Sequence, residues 1–253
     1  MKRRTLDLLL SIGGLGLAVL LLALGVVLQS QASFATSYVN EQFSAQKIYF
    51  TPAENLNDEE KKAACLVTYG TGDEAARALL TGKEAECYAN EYIALHLHES
   101  AKAGGYEGAT YASLGGPQRE LRAALATANE EMAPLKEALT AAQAELETAA
   151  AAGQPTEEIQ AKVDTAQAAV DAQQAKVDEA KKASDAVNGL RDTMFRGESL
   201  RGLLLTVYGF SVFGELAGLA ALVSFAAAGV LLLLAILGFA HYARTPKEQV
   251  FEA

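Results

Sequence analysis

The residues best suited to metal chemistry form one short run, in which His96, His98 and Glu99 lie within LHLHE. Imidazole and carboxylate groups together can hold zinc or iron. On a helix, however, His96 and His98 lie about 200° apart, so their side chains point away from each other. Helical metal sites use i,i+3 or i,i+4 spacing instead. The run therefore predicts ordinary helix residues, and we expect neither a metal nor a cofactor.

Glu215 is the next candidate, because it is the one charge in an otherwise apolar stretch from Gly202 to Ala240. A carboxylate within the membrane is unfavourable and marks proton or ion handling, or a specific partner. Glu215 also lies at the start of the second predicted span. A solvated position at the interface, or a pair with an arginine, is therefore the alternative interpretation.

Three arginines precede Glu215 in LRDTMFRGESLRG, namely Arg191, Arg196 and Arg201, and Glu198 lies between the last two. Arginines beside a span can hold phosphate headgroups or pair with Glu198 and Glu215. Anchoring of the helix at the membrane surface is the simpler interpretation.

Motifs of common enzymes are missing from the sequence. It contains no GxSxG, no HExxH and no GxxxxGK[ST]. We therefore predict a protein without catalytic residues. Its formal net charge of −10 disfavours nucleic acid as a partner, since the phosphate backbone is also negative.

Two apolar stretches are long enough to position these residues at a membrane. Residues 8–29 predict a first transmembrane helix, and residues 1–7 carry Lys2, Arg3 and Arg4, which the positive-inside rule places in the cytoplasm. A cleaved signal peptide is the alternative, but its apolar core is typically only about 7–15 residues long.

The second stretch predicts a transmembrane helix over residues 215–241. Residues 191–214 then form an interfacial helix, or an outer extension of the same helix. Arg244 and Lys247, in the tail of residues 242–253, place the C-terminus in the cytoplasm as well. We therefore expect a plasma-membrane protein with both termini inside and its central domain outside.

The outer domain of residues 30–117 holds the two cysteines, Cys65 and Cys87. Outside the cytoplasm, two cysteines most simply form one disulfide. Unpaired structural thiols are the alternative. Within this domain, residues 73–81 and 83–102 are interpreted as two helices.

Residues 118–190 predict an antiparallel coiled-coil hairpin. Apolar or small residues recur with 4-3-4-3 spacing on both sides of Gly153-Gln154-Pro155. Ala and Val dominate the predicted seam, which Gln173 and Ser184 also enter. The fold class is therefore an all-α membrane protein, with two transmembrane helices flanking an extracytoplasmic helical domain.

Small residues spaced four apart occur in both predicted spans and suit close helix packing in lipid. They form the pairs Gly14/Ala18, Gly214/Gly218 and Ala217/Ala221. The sequence leaves open whether these faces pack within one chain or between chains. We expect a homo-oligomer, with membership of a larger membrane complex as a further alternative.

Two segments, residues 85–111 and 190–205, carry a resemblance to uncharacterised actinobacterial two-span membrane proteins. The matching positions are His96-Leu97, the Gly108–Tyr111 piece and the run from Phe195 to Gly202. The hairpin lies between the matched segments and looks like an insertion relative to those proteins. The resemblance implies an N-terminal span, an outer helical region and a last span, and it implies no mechanism.

Two functions remain in view. The first is a non-enzymatic, self-assembling scaffold or accessory subunit of the cell envelope that displays helical hairpins outside. The alternative is a small oligomeric channel or transport component, in which Glu215 faces a wet lumen.

Overall fold

The computed structural model describes residues 3–246, which are almost entirely helical. The α-helices of this range are α1 (Arg3–Gln46), α2 (Ala64–Tyr69), α3 (Gly82–Cys87), α4 (Ala94–Ala103), α5 (Gly115–Ala151) and α6 (Glu157–Arg244). A π-helical turn, Tyr88–Ile93, joins α3 to α4. Over the described range no strand is present, and one isolated antiparallel bridge joins Tyr49 to Ala78. The predicted all-α class is confirmed. Lys2 and residues 247–253 lie outside the described residues.

The chain divides into two compact units. Unit 1 comprises Met1–Tyr92 with Gly202–Ala253, and unit 2 comprises Ile93–Arg201. The sequence analysis instead placed boundaries after residues 117 and 190. Segment 93–117 groups with the hairpin because Ala101 and Leu114 form one buried cluster with Met194 of α6.

In unit 1, α1 and the C-terminal half of α6 are long and apolar enough to cross a membrane, by length and composition. Their most apolar windows have mean hydropathies of 2.5 and 2.7. Residues 202–214 belong to α6 without a break, so they extend that helix and do not form a separate one.

The remainder of unit 1 is a small cap of short helices and turns. The helix predicted over residues 73–81 is wrong, because this segment pairs its backbone with residues 48–50. The Leu79 amide donates to the Ile48 carbonyl at 2.9 Å, and the Phe50 amide donates to the Arg77 carbonyl at 2.8 Å. A capping box then starts α3. The Thr81 hydroxyl accepts from the Glu84 amide, and the Glu84 carboxylate accepts from the Thr81 amide at 2.8 Å.

In unit 2, α5 and the N-terminal part of α6 run antiparallel and share a narrow core. Ala128, Met132 and Val177 are buried together, with Leu125 and Val170 packed against them. Between the helices, Gly153 adopts a φ of 64°, a left-handed conformation that glycine allows at a helix C-terminus. The helical arms and turn predicted for this region are therefore present.

Candidate functional site

The α1–α6 pair of unit 1 buries one small residue in every heptad. Buried positions with exact seven-residue spacing are Ser11, Ala18, Gly25 and Ala32 in α1, and Gly214, Ala221, Ala228 and Ala235 in α6. Small residues let helix backbones approach closely, which favours association where water supplies no hydrophobic driving force. The buried Ser11 hydroxyl donates to the Asp7 carbonyl at 2.7 Å within its own helix, so it adds no unsatisfied group.

Three glycines of this pair, Gly25, Gly214 and Gly238, lie where a side chain would collide with the partner helix. A Cβ built on Gly214 would lie 2.7 Å from the Cβ of Ala35, and one built on Gly25 would lie 2.6 Å from the Phe225 ring. At these positions the two helices lie too close together for a larger residue unless the neighbouring side chain moves.

The six small residues expected to mediate helix packing lie on or beside this intrachain interface. Ala18 and Ala221 have no exposed surface. A Cβ on Gly14 would lie 3.9 Å from Ala235, and one on Gly218 would lie 3.5 Å from Ala32. Gly214 is buried, and Ala217 is partly buried. These contacts all join helices of the same chain, so the faces are occupied before a second copy is considered.

Large aliphatic side chains of the same helices point outward. The side chains with at least half of their surface exposed include Leu10, Leu20, Val26, Leu222, Val230 and Leu237. Only 17% of the apolar window of α1 and 22% of that of α6 are buried. A core helix of a soluble protein shows the reverse arrangement, with its large apolar side chains inside.

Glu215 is exposed and follows the buried Gly214, which packs beside Ala35. Ala35 follows residue 29, at which the first predicted span ends. Aromatic side chains cluster at the same level, where the Tyr38 ring stacks on Phe34 at 5.7 Å and meets Phe210 edge-on at 6.1 Å. Aromatic clusters of this kind are typical of a membrane–water interface. The position favours the interfacial interpretation of Glu215.

Tyr208, about two turns before Glu215 in α6, lies within the influence of two carboxylates. The negative charge of Glu86 is the largest influence and raises the pKa of Tyr208, with smaller contributions from burial, from a hydrogen bond to Glu86 and from Glu215. Tyr208 is thus linked to Glu86 by a hydrogen bond, and Glu215 is the smallest influence on its pKa; this arrangement was not apparent from the sequence.

Polar contacts close the opposite end of the α1–α6 pair. The Asp7 carboxylate lies 2.9 Å from Nδ1 of His241, and the Arg4 guanidinium lies 4.4 Å from the centre of the Tyr242 ring. Arg4 and Arg244, which the sequence analysis placed on the cytoplasmic side, are therefore near the same end of the pair.

Cys65 and Cys87 form the expected disulfide, which ties α2 to α3 with Cα atoms 6.2 Å apart. Directly after Cys87, the π-helical turn begins with Tyr88. Its ring packs against Tyr92 at 4.8 Å and against Phe50 at 5.4 Å. Burial, followed by interaction with Tyr92, raises the pKa of Tyr88 to about 12. These contacts give the cap a small aromatic core.

In unit 2, residues of segments 93–111 and 190–201 contact each other. Glu198 accepts a hydrogen bond from the Tyr111 amide at 2.8 Å, and a Cβ on Gly197 would collide with the Leu97 side chain. The Arg191 guanidinium lies 4.1 Å from the centre of the Tyr111 ring. Glu198 is thereby a positioning residue for the loop before α5.

The other predicted charges have separate surroundings. The guanidinium of Arg196 pairs with Asp192 at 2.8 Å on the exposed side of α6. Nε of Arg201 is buried without a hydrogen bond, although Arg201 makes another interaction. Arg196 is therefore held in an ion pair within α6.

The histidine run does not converge on one point. Nδ1 of His96 lies 3.6 Å from Glu99, whereas Nε2 of His98 lies 3.8 Å from Glu107. Among residues 3–246, no three metal-ligating side chains come together as a metal site would require.

Two features of the structure were not predicted from the sequence. The seven-residue spacing of Ser11, Ala18 and Gly25 is a local pattern, but the prediction was based on the four-residue spacing of small residues. The bond between Glu198 and Tyr111 joins residues 87 positions apart, and no local pattern encodes such a contact.

No protein-family model, no curated protein and no solved structure matches this chain.

Proposed function

We propose that this chain is an integral membrane protein that crosses the bilayer twice and holds its helical domain outside the cytoplasm. The observation that supports this most is the arrangement of α1 and α6, with small residues between the helices and large aliphatic residues outward. An exterior of Leu, Val and Ile along two paired helices suits a hydrocarbon solvent.

The orientation is supported by charge and by the disulfide. Arg3, Arg4 and Arg244 belong to the segments outside the two apolar stretches, as cytoplasmic ends require. The disulfide between Cys65 and Cys87 suits an oxidising compartment for the region between the spans.

For the outer domain we propose a non-enzymatic role, as a scaffold or accessory subunit that displays the helical hairpin. The hairpin has long charged outer faces, and its buried core is narrow and consists of Ala, Val, Met and Gln side chains. Long exposed helical faces of this kind suit contact with other helices and proteins.

Assembly with further chains is part of this proposal. Since the small-residue faces are occupied within one chain, copies or partner subunits would meet through the exposed aliphatic faces. The light-scattering mass of the full chain in nanodiscs tests this. A mass of more than one copy per particle supports self-association. A mass of one copy contradicts self-association and supports only the accessory-subunit role.

The topology is tested by cysteine labelling in intact cells. Ala152→Cys lies at the exposed turn of the hairpin, and the matched control Ala243→Cys lies at the exposed end of α6. We expect a membrane-impermeant maleimide to label Ala152→Cys directly and Ala243→Cys only after permeabilisation. Labelling of both in intact cells, or of neither, contradicts the proposed orientation.

The channel alternative rested on Glu215 facing a lumen. Glu215 lies at the aromatic end of the helix pair, at the level of Ala35 and beyond the first apolar stretch. Because this position favours an interfacial residue, we do not carry the channel forward as a second candidate function.

A further inference from the structure

A cleft at the base of the hairpin carries an inference that the scaffold role does not include. It has a volume of about 320 Å³ and lies entirely within unit 2. Its walls come from the loop before α5, from the first turns of α5 and from α6. The lining residues that matter here are Tyr111, Gln118, Arg122, Asn188, Arg191 and Phe195.

The cleft has a surplus of positive charge. Arg122 donates from Nη2 to the Asn188 side chain at 3.2 Å, and Arg191 donates to Gln118 at 2.7 Å. Neither arginine has a carboxylate within ion-pairing distance among the residues the structure describes. The acidic group of the lining, Asp192, is balanced by Arg196 at 2.8 Å.

The local backbone adds to this positive potential. The first turn of α5, a helix of 37 residues, contains no acidic side chain to offset its N-terminal dipole. A guanidinium that has satisfied one partner still carries several donors, so Arg122 can bind a further acceptor. An oxyanion therefore suits this end of the cleft.

The cleft also offers an aromatic surface. Phe195 is 53% exposed, so about half of this apolar side chain remains accessible to a ligand. Its ring centre lies 5.3 Å from that of Tyr111, whose other neighbour is the Arg191 guanidinium. A flat apolar group that covers Phe195 would remove this ring from water.

We propose that this cleft binds a phosphate group carried on a small molecule with a planar or apolar body. A phosphate dianion offers three acceptor oxygens and close to two negative charges, which match two guanidinium groups and a helix N-terminus. The volume lies at the lower end of the range of about 300–1,000 Å³ typical of small-molecule sites. The phosphate belongs either to a soluble ester or to a lipid headgroup.

Isothermal titration of the full chain in zwitterionic nanodiscs tests the proposal, with phenyl phosphate and inorganic phosphate as probes. We expect phenyl phosphate to bind more tightly than inorganic phosphate. Arg122→Gln should weaken phenyl phosphate about tenfold, a change typical of one lost charge-assisted hydrogen bond. Lys136→Gln, an equal charge change at an exposed site of α5 outside the cleft, should leave the affinity unaltered.

Two further variants distinguish the parts of the site. Arg122→Lys keeps the charge but loses the planar fork, so its affinity should lie between wild type and Arg122→Gln. Phe195→Leu should abolish the preference for phenyl phosphate over inorganic phosphate. Nanodiscs that contain phosphatidic acid, whose headgroup is a phosphate monoester, identify the source, since competition with phenyl phosphate indicates a headgroup and its absence indicates a soluble ester. Failure of both probes to bind, or equal weakening by Lys136→Gln, overturns the proposal.

Discussion

The two antiparallel helix pairs of this chain share a seven-residue spacing but differ in what they turn outward. In the α1–α6 pair, Ala221 and Ala228 are fully buried, while Leu222 and Val230 are exposed. In the hairpin, the buried seam holds Val177 and even Gln173, and the outer faces are charged. The spacing therefore specifies helix pairing, and the exterior residues indicate the solvent for which each pair is suited.

The comparison also shows how closely each pair packs. The α1–α6 pair uses Gly, Ala and Ser, which allow backbone contact, as at Gly214 and Ala35. The hairpin uses larger residues such as Met132, and Gln173 bridges to the other helix by donating to the Ala128 carbonyl at 2.9 Å. Close backbone packing suits lipid, whereas burial of larger apolar side chains stabilises helices in water.

The largest expected effect comes from a charge on the outward face of the α1–α6 pair. Val230→Lys should impair membrane insertion by about 3 kcal/mol, because lysine at the centre of a span is poorly tolerated. Ala126→Lys, on an exposed face of the hairpin, should change stability by less than about 0.5 kcal/mol. The fraction recovered in alkali-washed membranes measures the first effect, and equal recovery of both variants would remove the proposed difference in solvent.

A smaller effect is expected from overfilling the small-residue interface. Ala221→Leu should lower the free energy of unfolding by about 2 kcal/mol, since a fully buried position in a close helix pair has no room for three more carbons. The control Val223→Leu enlarges a neighbour that is 61% exposed and should have little effect. Thermal unfolding in mild detergent compares the two, and equal shifts would contradict the close pairing.

The hairpin should respond to the loss of its buried polar contact. Gln173→Ala should destabilise it by about 1–2 kcal/mol, because Gln173 is only 4% exposed and also donates to Glu131 at 3.1 Å. Gln174→Ala removes an exposed bond to Asp178 in the same helix and should change stability by a few tenths of a kcal/mol, an approximate value for such pairs. Hydrogen exchange of hairpin amides measures both variants. Similar exchange in the two would show that the seam does not depend on Gln173.

The smallest effect is an alkaline transition at Tyr88 of unit 1, whereas residues 118–190 of the hairpin contain no tyrosine. The pKa of Tyr88 is raised from 10.0 to about 12, chiefly by burial, so the folded state holds this proton more tightly than the unfolded state. The resulting stability is fully present below pH 10 and is lost as the pH rises towards 12.

Ultraviolet titration of the tyrosines checks this effect. Tyr88→Phe should remove one late-ionising phenol and reduce the alkaline loss of stability, whereas Tyr49→Phe, at an exposed position, should leave both unchanged. If the same number of phenols ionised late in Tyr88→Phe as in the wild type, the raised pKa would not belong to Tyr88.

Local patterns predicted the long elements well. Apolar composition predicted α1 and the end of α6, and 4-3-4-3 spacing predicted the two arms around Gly153. These features need only chain-local information, since helix length and periodicity repeat every turn. The cap was predicted less well. Segment 73–81 contains helix-forming alanines, yet hydrogen bonds from Leu79 and Phe50 hold it in turns.

The sequence by itself determined the long helices, the apolar stretches and the compatibility of Cys65 with Cys87, because composition and spacing are properties of the chain alone. Tertiary structure decided that the small residues pair within the chain, that Glu198 holds the Tyr111 loop, and that Arg122 and Arg191 share a cleft. These three outcomes join residues far apart in the sequence. Their contacts depend on the register of packed helices, and local propensity does not specify that register.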